Sequence, residues 1–367
     1  MKELNHTHLE INISNLKHNL AYFRSCLPPA EKLLILVKAY GYGHGAGEFS
    51  KILEKNGVDY LAVAFPQEGV EIRKAGVKLP IIVLSAGIEH FPLLMEYNLE
   101  PSIPTMESFL KFVRTAREMS IKEYPVHIKL DTGMHRLGFE LSELGALTDE
   151  LPSPYAHITS VFTHFVASGD PVHDDFTRLQ ISLFEKGSSI IMKALPYHPL
   201  RHILNSPGIE RFAKEAAYDM ARLGIGLYGM SYIDRPRLKP TAFLRTPVLQ
   251  IRTVNAGETV GYGRAGKIVS GPARIATLAI GYADGVNRHL SGGRASFMVN
   301  GHLAPTVGNI CMDMCMIDIT GIDVKEGDMV TVFGENPSIF TLAETLGTIP
   351  YEILTSVAYR VPRVYIE

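Results

Sequence analysis

One lysine stands at the end of an apolar run, where an amine could act as a nucleophile or a general base. Lys38 follows Leu33–Val37 and precedes a loop, Ala39–Gly45, that holds three glycines and two tyrosines. A lysine becomes reactive when its surroundings lower its pKa. Glycines allow the backbone to approach a ligand closely, and a phenol can donate a hydrogen bond to an anion. The alternative is a lysine that only extends its charged end from the strand into water.

Polar residues recur at the ends of later apolar runs. Arg136 follows one run, His164 and Asn205-Ser206 end two others, and Arg222 lies within the last. Taken singly, His164 could be a core histidine, and Asn205-Ser206 could open a turn. The carboxyl ends of the strands of a parallel barrel gather at one rim, where catalytic groups lie, so this shared position favours a common site.

The apolar runs predict the elements that must position these residues. Eight runs rich in β-branched residues predict strands over 33–39, 60–65, 80–86, 100–104, 125–131, 158–165, 201–206 and 220–228. Helical patterns lie between several of them, over 47–56, 66–74, 105–119 and 174–194. This alternation predicts an α/β fold, a (β/α)8 TIM-type barrel. A doubly wound sheet would alternate in a similar way.

After Met230 the pattern changes to strands with little helix. Strand-like runs cover 248–255, 273–280, 295–300, 312–319 and 329–333, and helical stretches follow over 342–346 and 351–358. The sequence of 367 residues is also longer than the ~150 residues of a typical single domain. We therefore predict a barrel over 10–232 and a mainly β C-terminal domain over 233–367, joined by an N-terminal strand within 1–9.

Composition and charge favour a small-molecule ligand. The formal net charge is −2, with acidic and basic residues intermixed, which argues against nucleic-acid or membrane binding. The N-terminus lacks the apolar core of a signal peptide, and no run approaches the ~18 apolar residues of a membrane span, so we expect a cytoplasmic protein. The three cysteines, Cys26, Cys311 and Cys315, predict reduced thiols, the last two on one face of a strand, and no metal site.

Five short motifs are more specific than any single residue. They are Val37-Lys38-Ala39 with Tyr42-Gly43-His44-Gly45, Asp131-Thr132-Gly133-Met134 with Arg136-Leu137-Gly138, Gly261-Tyr262-Gly263-Arg264, Gly281-Tyr282-Ala283-Asp284-Gly285 and Cys311-Met312-Asp313. With them the chain resembles the alanine racemase family over nearly its whole length. The resemblance implies a barrel that binds pyridoxal 5'-phosphate (PLP), a β domain, a homodimer with shared active sites, and interconversion of L-alanine and D-alanine that supplies peptidoglycan synthesis.

The resemblance also implies a role for each candidate residue. Lys38 would carry PLP and share acid/base catalysis with Tyr262, which a partner subunit would contribute. Arg136 and Met312 would contact the substrate, Tyr282 and Asp313 would lie at the entrance, and Lys129 is a position that is carbamylated in some relatives. The implied cofactor-binding residues are Lys38, Tyr42, Arg136, His164, Asn205, Ser206, Arg222, Gly224, Ile225 and Tyr351. Among these, Tyr42, Ser206 and Tyr351 would bind the phosphate, and Arg222 would face the pyridine nitrogen.

Some residues depart from the family pattern and leave alternatives open. Tyr40, Gly41, Gly261 and Asn309 stand where many relatives have other residues, which leaves the electrostatics of the entrance and the substrate range open. A serine racemase or a broad-range racemase of the same fold would have a nearly identical sequence. A related decarboxylase would show a glycine triplet, which this chain lacks. A PLP carrier without activity would need only the barrel.

Overall fold

A computed structural model describes residues 5–367 of the chain. Residues 1–4 of the predicted N-terminal strand lie outside the described residues. The chain divides into two units. The barrel unit comprises Lys17–Gly41 and Gly45–Leu238, and the β unit comprises the described residues up to Leu16, Tyr42–His44 and Lys239–Glu367. The predicted boundary between 232 and 233 stays a prediction, and the sequence had not indicated that Tyr42–His44 would group with the later residues.

Eight parallel strands form the sheet of the barrel unit. They are β2 (Lys32–Leu36), β3 (Tyr60–Val63), β4 (Ile81–Val83), β5 (Glu100–Ile103), β6 (Tyr124–Lys129), β7 (Ala156–Phe162), β8 (Leu200–His202) and β9 (Met220–Leu223). Each pairs with the next from β2 to β8, and β9 pairs with β2. Backbone hydrogen bonds from Asp219 to Arg201 (3.1 Å) and from Arg222 to Leu204 (3.0 Å) link β9 to the β8 segment. The predicted (β/α)8 barrel is confirmed.

Helices precede and connect the barrel strands and pack apolar faces against them. Helices of six or more residues cover Ile13–Ser25, Gly47–Lys55, Pro66–Lys74, Phe91–Glu96, Met106–Glu118, Leu144–Asp149, Asp174–Lys193 and Ser206–Ala216. In Met106–Glu118 the buried Phe109, Phe112 and Ala116 recur at helical spacing, and the Thr105 side chain accepts a hydrogen bond from the Ser108 amide at 3.2 Å. Because helices cover one face of the strands and the barrel interior covers the other, most strand residues are buried.

The β unit is built around one long strand. β1 (His8–Asn12) pairs antiparallel with β10 (Ala242–Val254) and parallel with β18 (Arg363–Ile366). The remaining strands are β11 (Thr259–Val260), β12 (Gly266–Lys267), β13 (Ala273–Leu278), β14 (Ser296–Val299), β15 (His302–Pro305), β16 (Cys315–Asp318) and β17 (Met329–Phe333), with helices at Ile339–Leu346 and Pro350–Thr355. The predicted mainly β domain is thus confirmed.

One strand of this unit starts later than predicted. The sequence predicts a strand over 312–319, within an apolar run over 310–319 that carries both cysteines on one face, but β16 begins only at Cys315, which is buried. Cys311 lies in the preceding loop, where its amide donates to the carbonyl of Met314 at 2.8 Å, and it is only half-buried. The prediction that both thiols lie on one strand face is therefore wrong. Within residues 5–367, no helix is both long and apolar enough to cross a membrane.

Candidate active site

Lys38 lies two residues beyond β2, at the start of a left-handed turn. Ala39, Tyr40, Gly41 and Tyr42 have φ angles of 51°, 57°, 63° and 50°. The left-handed conformation costs ~1–2 kcal/mol for each residue other than glycine, so surrounding bonds must hold the turn. The Gly41 amide donates to the Val37 carbonyl at 2.8 Å. The backbone on which the Lys38 side chain stands is therefore both strained and fixed.

Glu68 anchors this turn, and the sequence reasoning had missed it. Its Oε1 accepts a hydrogen bond from the Ala39 amide at 2.6 Å, and its Oε2 accepts from the amides of Ala64 (2.8 Å) and Phe65 (3.0 Å). One carboxylate thus joins the Lys38 turn to the start of the helix Pro66–Lys74. Proline at the first helical position followed by glutamate at the third is a helix-start pattern that could have drawn attention to Glu68.

Two lysines at this rim are less basic than usual. Burial, and then the charge of Arg136, lowers the pKa of Lys38, while Glu68 opposes the shift. Burial, and then Arg222 and Arg136, lowers the pKa of Lys129, the last residue of β6, to about 8. Both effects favour the neutral amine, because a cationic neighbour and loss of water each penalise the charged form.

Arg136 stands on a tightly closed loop after β6. Asp131 Oδ1 accepts hydrogen bonds from the amides of Gly133 (2.8 Å) and Met134 (3.0 Å), and the Phe139 amide donates to the Lys129 carbonyl at 2.8 Å. The loop holds the exposed Arg136 where its charge acts on Lys38, Lys129 and His164. A positive charge in this place can bind a carboxylate.

Arg222 is buried, with most of its donors engaged. Its Nη1 donates to His202 Nδ1 (2.8 Å) and to the His202 carbonyl (3.0 Å). Its Nη2 donates to the carbonyls of Thr163 (2.5 Å) and Ile203 (3.1 Å), and His164 Nδ1 lies 3.3 Å away. Nε–H makes no hydrogen bond to any residue in 5–367. Burial lowers the pKa of Arg222 to about 9, so the side chain stays charged at neutral pH. The unused Nε–H can therefore donate a hydrogen bond to a ligand atom without transferring its proton.

His164 is held neutral beside this arginine. Burial, followed by the charges of Arg222, Lys129 and Arg136, lowers the pKa of His164 well below its usual value. Its Nδ1 therefore acts as an acceptor toward Arg222 Nη2 rather than as a second cation. The predicted barrel residues Lys38, Lys129, Arg136, His164 and Arg222 thus act on one another electrostatically at one rim.

A hydroxyl at a helix start forms the second part of the barrel site. Ser206 is the first residue of the helix Ser206–Ala216, and its Oγ accepts hydrogen bonds from the amides of Gly224 (3.0 Å) and Gly226 (3.2 Å). Its own O–H remains available as a donor. The Ile225 amide donates to no residue within 5–367, whereas the Gly224 amide is committed to Ser206. Because a helix N-terminus carries partial positive charge, these donors suit an anion such as a phosphate.

Asn205 fixes this helix start from the side. Its Oδ1 accepts hydrogen bonds from the Gly208 amide (2.9 Å) and from Ser168 Oγ (2.7 Å). The side chain is an N-cap that satisfies a helical amide. Asn205 therefore supports the position of Ser206.

In the β unit, two predicted tyrosines lie together. The ring centroids of Tyr42 and Tyr351 are 6.1 Å apart, and burial, followed by Tyr351, raises the pKa of Tyr42. Gly43 has φ +83°, and a Cβ there would lie 2.4 Å from the Leu354 carbonyl oxygen. Glycine is thus required for residues 42–44 to pack against the helix Pro350–Thr355. The Tyr42 phenol stays a protonated donor.

Tyr262 projects from a glycine-rich turn of the β unit. Gly261, Gly263 and Arg264 have φ angles of 75°, 67° and 52°, and the Tyr262 side chain is 72% exposed. The Tyr262 carbonyl accepts a hydrogen bond from Asn309 Nδ2 at 3.0 Å. Asn309, one of the departures from the family pattern, therefore holds the backbone of this turn.

The same face carries the other predicted entrance residues. The amides of Tyr282 and Ala283 donate to the carbonyls of Cys311 (2.9 Å) and Met312 (3.0 Å), which joins the two loops. Asp313 forms an ion pair with Arg360 at 2.7 Å. A groove of about 880 Å³ is lined by residues that include Tyr262, Tyr282, Met312, Asp313, Met314 and Met316. Met312, Met314 and Tyr282 are 54%, 46% and 43% exposed, so several large apolar side chains of this groove face water.

Comparisons with known proteins agree with this architecture. The family model "Alanine racemase, N-terminal domain" matches residues 11–232, and the model "Alanine racemase, C-terminal domain" matches residues 241–365. The "Alanine racemase 1" of Clostridium acetobutylicum is 37% identical over 371 residues, which cover 98% of this chain and 95% of that protein. The alanine racemase of Treponema denticola is also 37% identical, covering 97% of each chain.

Solved structures are similar over the same length. The alanine racemase of Clostridium difficile has a TM-score of 0.92 at 34% identity and covers 98% of this chain and 95% of its own. The alanine racemase of Bacillus anthracis with bound L-Ala-P has a TM-score of 0.88 at 31% identity, with the same coverage. The similarity therefore spans both units.

Proposed function

This chain belongs to the alanine racemase family, and on that premise we propose that it interconverts L-alanine and D-alanine with PLP bound in the barrel unit. The observation that carries the proposal is Lys38. This lysine lies just beyond a barrel strand, on a fixed left-handed turn. Its lowered pKa favours the neutral amine that can react with a cofactor or a substrate. The family is PLP-dependent, so the residues around Lys38 should have hydrogen-bond donors that fit this cofactor.

The donors left unused in the barrel unit fit PLP. Arg222 Nε–H would donate to the pyridine nitrogen, and an arginine there keeps its own proton. The Ser206 hydroxyl and the Ile225 amide, at a helix N-terminus, would hold the phosphate. We assign the further phosphate contacts to Tyr42 and Tyr351, as the family resemblance implies. Lys38 would hold the cofactor covalently.

Racemisation needs a proton to leave Cα on one face and return on the other. When bound, PLP delocalises the electron pair left at Cα. The neutral Lys38 Nζ accepts the proton on one face and returns it on the reverse path. Arg136, exposed on its closed loop, binds the substrate carboxylate and fixes Cα relative to Nζ. Lys129 lies within electrostatic range of Arg136, and its lowered pKa would favour carbamylation.

We assign the second acid/base group to the partner subunit's Tyr262. Its phenol is exposed beside an apolar groove, and a second copy of the chain would cover this face. A planar carbanion protonated only from the Lys38 side would return to the starting enantiomer. A donor on the opposite face is therefore needed, and we propose a homodimer in which each site uses Lys38 of one copy and Tyr262 of the other.

The substrate range follows from the relatives. Proteins named alanine racemase match this chain across its full length, which favours alanine over the serine or broad-range alternative. The test is a visible absorption spectrum of the purified protein, followed by chiral analysis after incubation with L-alanine and, in parallel, L-serine. We expect a visible band from bound PLP and D-alanine as the main product. A protein without that band that forms no D-alanine would overturn the proposal.

A further inference from the structure

A continuous hydrogen-bonded chain of polar side chains crosses the interior of the barrel. Glu100 Oε2 lies 2.8 Å from His127 Nε2, and His127 Nδ1 lies 2.7 Å from Ser160 Oγ. Ser160 Oγ lies 2.8 Å from His202 Nε2, and His202 Nδ1 accepts from Arg222 Nη1 at 2.8 Å. Five consecutive strands, β5 to β9, contribute one residue each. The chain leads from the first residue of β5 to the arginine of the candidate site.

These residues are buried where barrels usually place aliphatic side chains. His127 and Ser160 are 0% exposed, His202 is 1% exposed and Arg222 is 3% exposed. Buried polar groups are costly unless each donor meets an acceptor, and a fully satisfied network fixes the orientation of its members. The structure therefore ties the position of Arg222 to partners far from the rim.

The donors and acceptors can be assigned from one end to the other. A guanidinium only donates, so His202 Nδ1 must accept, and a neutral His202 then carries its proton on Nε2. That N–H donates to Ser160 Oγ, whose hydroxyl donates to His127 Nδ1. His127 then carries its proton on Nε2 and donates to the Glu100 carboxylate. Burial, followed by the charge of Arg222, lowers the pKa of His202 well below its usual value, in agreement with a neutral ring.

The opposite pattern leaves a buried hydrogen without an acceptor. A doubly protonated His127 would donate to Ser160 from Nδ1, so the Ser160 oxygen would accept from both histidines. Its own hydrogen would then have no acceptor within residues 5–367, at a position that water does not reach. An unmade buried hydrogen bond is costly, so the single direction from Arg222 to Glu100 is favoured.

We propose that Glu100, His127 and Ser160 are positioning residues, which hold His202 in the Nε2–H tautomer so that Arg222 keeps Nε–H directed at the ring nitrogen of the cofactor. This inference rests on the proposed function, because it assigns the remaining N–H of Arg222 to PLP. Ser160 is the central member, since its hydroxyl is the only link between the two histidines within the described residues 5–367.

A matched control lies two strands away, on β5. Ser102 is also buried, at 2% exposed, and pairs in register with His127, but its hydroxyl has no hydrogen-bond partner within residues 5–367. Ser160→Ala and Ser102→Ala therefore remove the same group from the same barrel, and only the first breaks the chain. Ser160→Thr restores a hydroxyl.

The experiment reads the tautomers directly in the holoenzyme. Long-range proton–nitrogen NMR of histidine-labelled protein, assigned with His127→Asn and His202→Asn, should show both rings neutral with the proton on Nε2. Ser160→Ala should move the Nε2–H signal of His202, and Ser102→Ala should leave it unchanged. A wild-type His202 that is doubly protonated, or that carries its proton on Nδ1, would overturn the proposal. So would a His202 signal that is the same in the Ser160→Ala protein.

Kinetics provide the second measurement. With PLP saturating, Ser160→Ala should lower kcat roughly 5- to 100-fold with little change in KM, the range expected for one buried unsatisfied group. Ser160→Thr should recover part of the loss, and Ser102→Ala should cause none. Equal losses of kcat in Ser160→Ala and Ser102→Ala would show that Ser160 contributes only packing and would overturn the proposal. The NMR measurement remains valid if the protein does not racemise alanine, so failure of this inference and failure of the proposed function can be told apart.

Discussion

Replacing Tyr262 by Phe removes one hydroxyl from an exposed ring and should separate catalysis from stability. The side chain is 72% exposed, so the change buries no group and opens no cavity, and the free energy of unfolding should stay within ~0.5 kcal/mol of the wild-type value. Loss of an acid/base group typically costs ~100- to 10,000-fold in rate, which is about 3 to 5 kcal/mol in the activation barrier. We therefore expect racemisation to fall by that factor in both directions.

Isotope exchange reveals which face is affected. In deuterium oxide the Tyr262→Phe protein should still exchange the α-hydrogen of one enantiomer, D-alanine if the family's assignment of faces holds, because Lys38 Nζ is unchanged. Exchange from L-alanine should fall sharply. The measurement is proton NMR of the α-position over time, with chiral analysis of the same samples.

Tyr359 offers a control in the same unit. It is 75% exposed and does not line the groove beside Tyr262, and Tyr359→Phe removes the same hydroxyl. That variant should retain wild-type racemisation and exchange. Equal loss of exchange from both enantiomers in Tyr262→Phe, or no loss from either, would refute the assignment of Lys38 and Tyr262 to opposite faces of Cα.

Lys38→Ala should abolish the visible band of bound PLP and nearly all racemisation, while the circular dichroism spectrum stays unchanged. A borohydride-reducible PLP adduct at a single other lysine would show that the assignment of Lys38 as the PLP-binding lysine is wrong. Exchange of subunits between Lys38→Ala and Tyr262→Phe proteins should restore roughly a quarter of the wild-type activity, since half of the dimers are mixed and each has one intact site; no recovery despite proven exchange would indicate a site within one chain. Lys129 has a pKa of about 8 and is therefore about half neutral at pH 8, against roughly 0.3% for an ordinary lysine. Carbon-13 bicarbonate should therefore give a carbamate NMR signal that grows as the pH rises toward 8. The Lys129→Arg protein should not show this signal.

The barrel was predictable because its strands are runs of mainly apolar residues that alternate with amphipathic helices. The ends of the strands were not. The predicted runs 33–39 and 220–228 continue past β2 and β9, which end at Leu36 and Leu223. Ile225, Leu227 and Tyr228 remain buried in a turn after β9, so the apolar pattern persists where the strand geometry has stopped. Burial, rather than secondary structure, sets that pattern, and composition cannot distinguish the two.

The geometry at Lys38 shows why the candidate site was only partly predictable. The sequence indicates a reactive lysine and a flexible loop, but three of the four left-handed residues, Ala39, Tyr40 and Tyr42, are types that avoid this conformation. The local backbone preferences of these residue types would not predict the turn. It is held by Glu68, which lies 29 positions from Ala39 and reaches it only because β2 and β3 are neighbours in the barrel. A strained conformation that depends on a distant partner has no local signature. At functional sites, tertiary contacts thus override the propensities on which sequence reasoning relies.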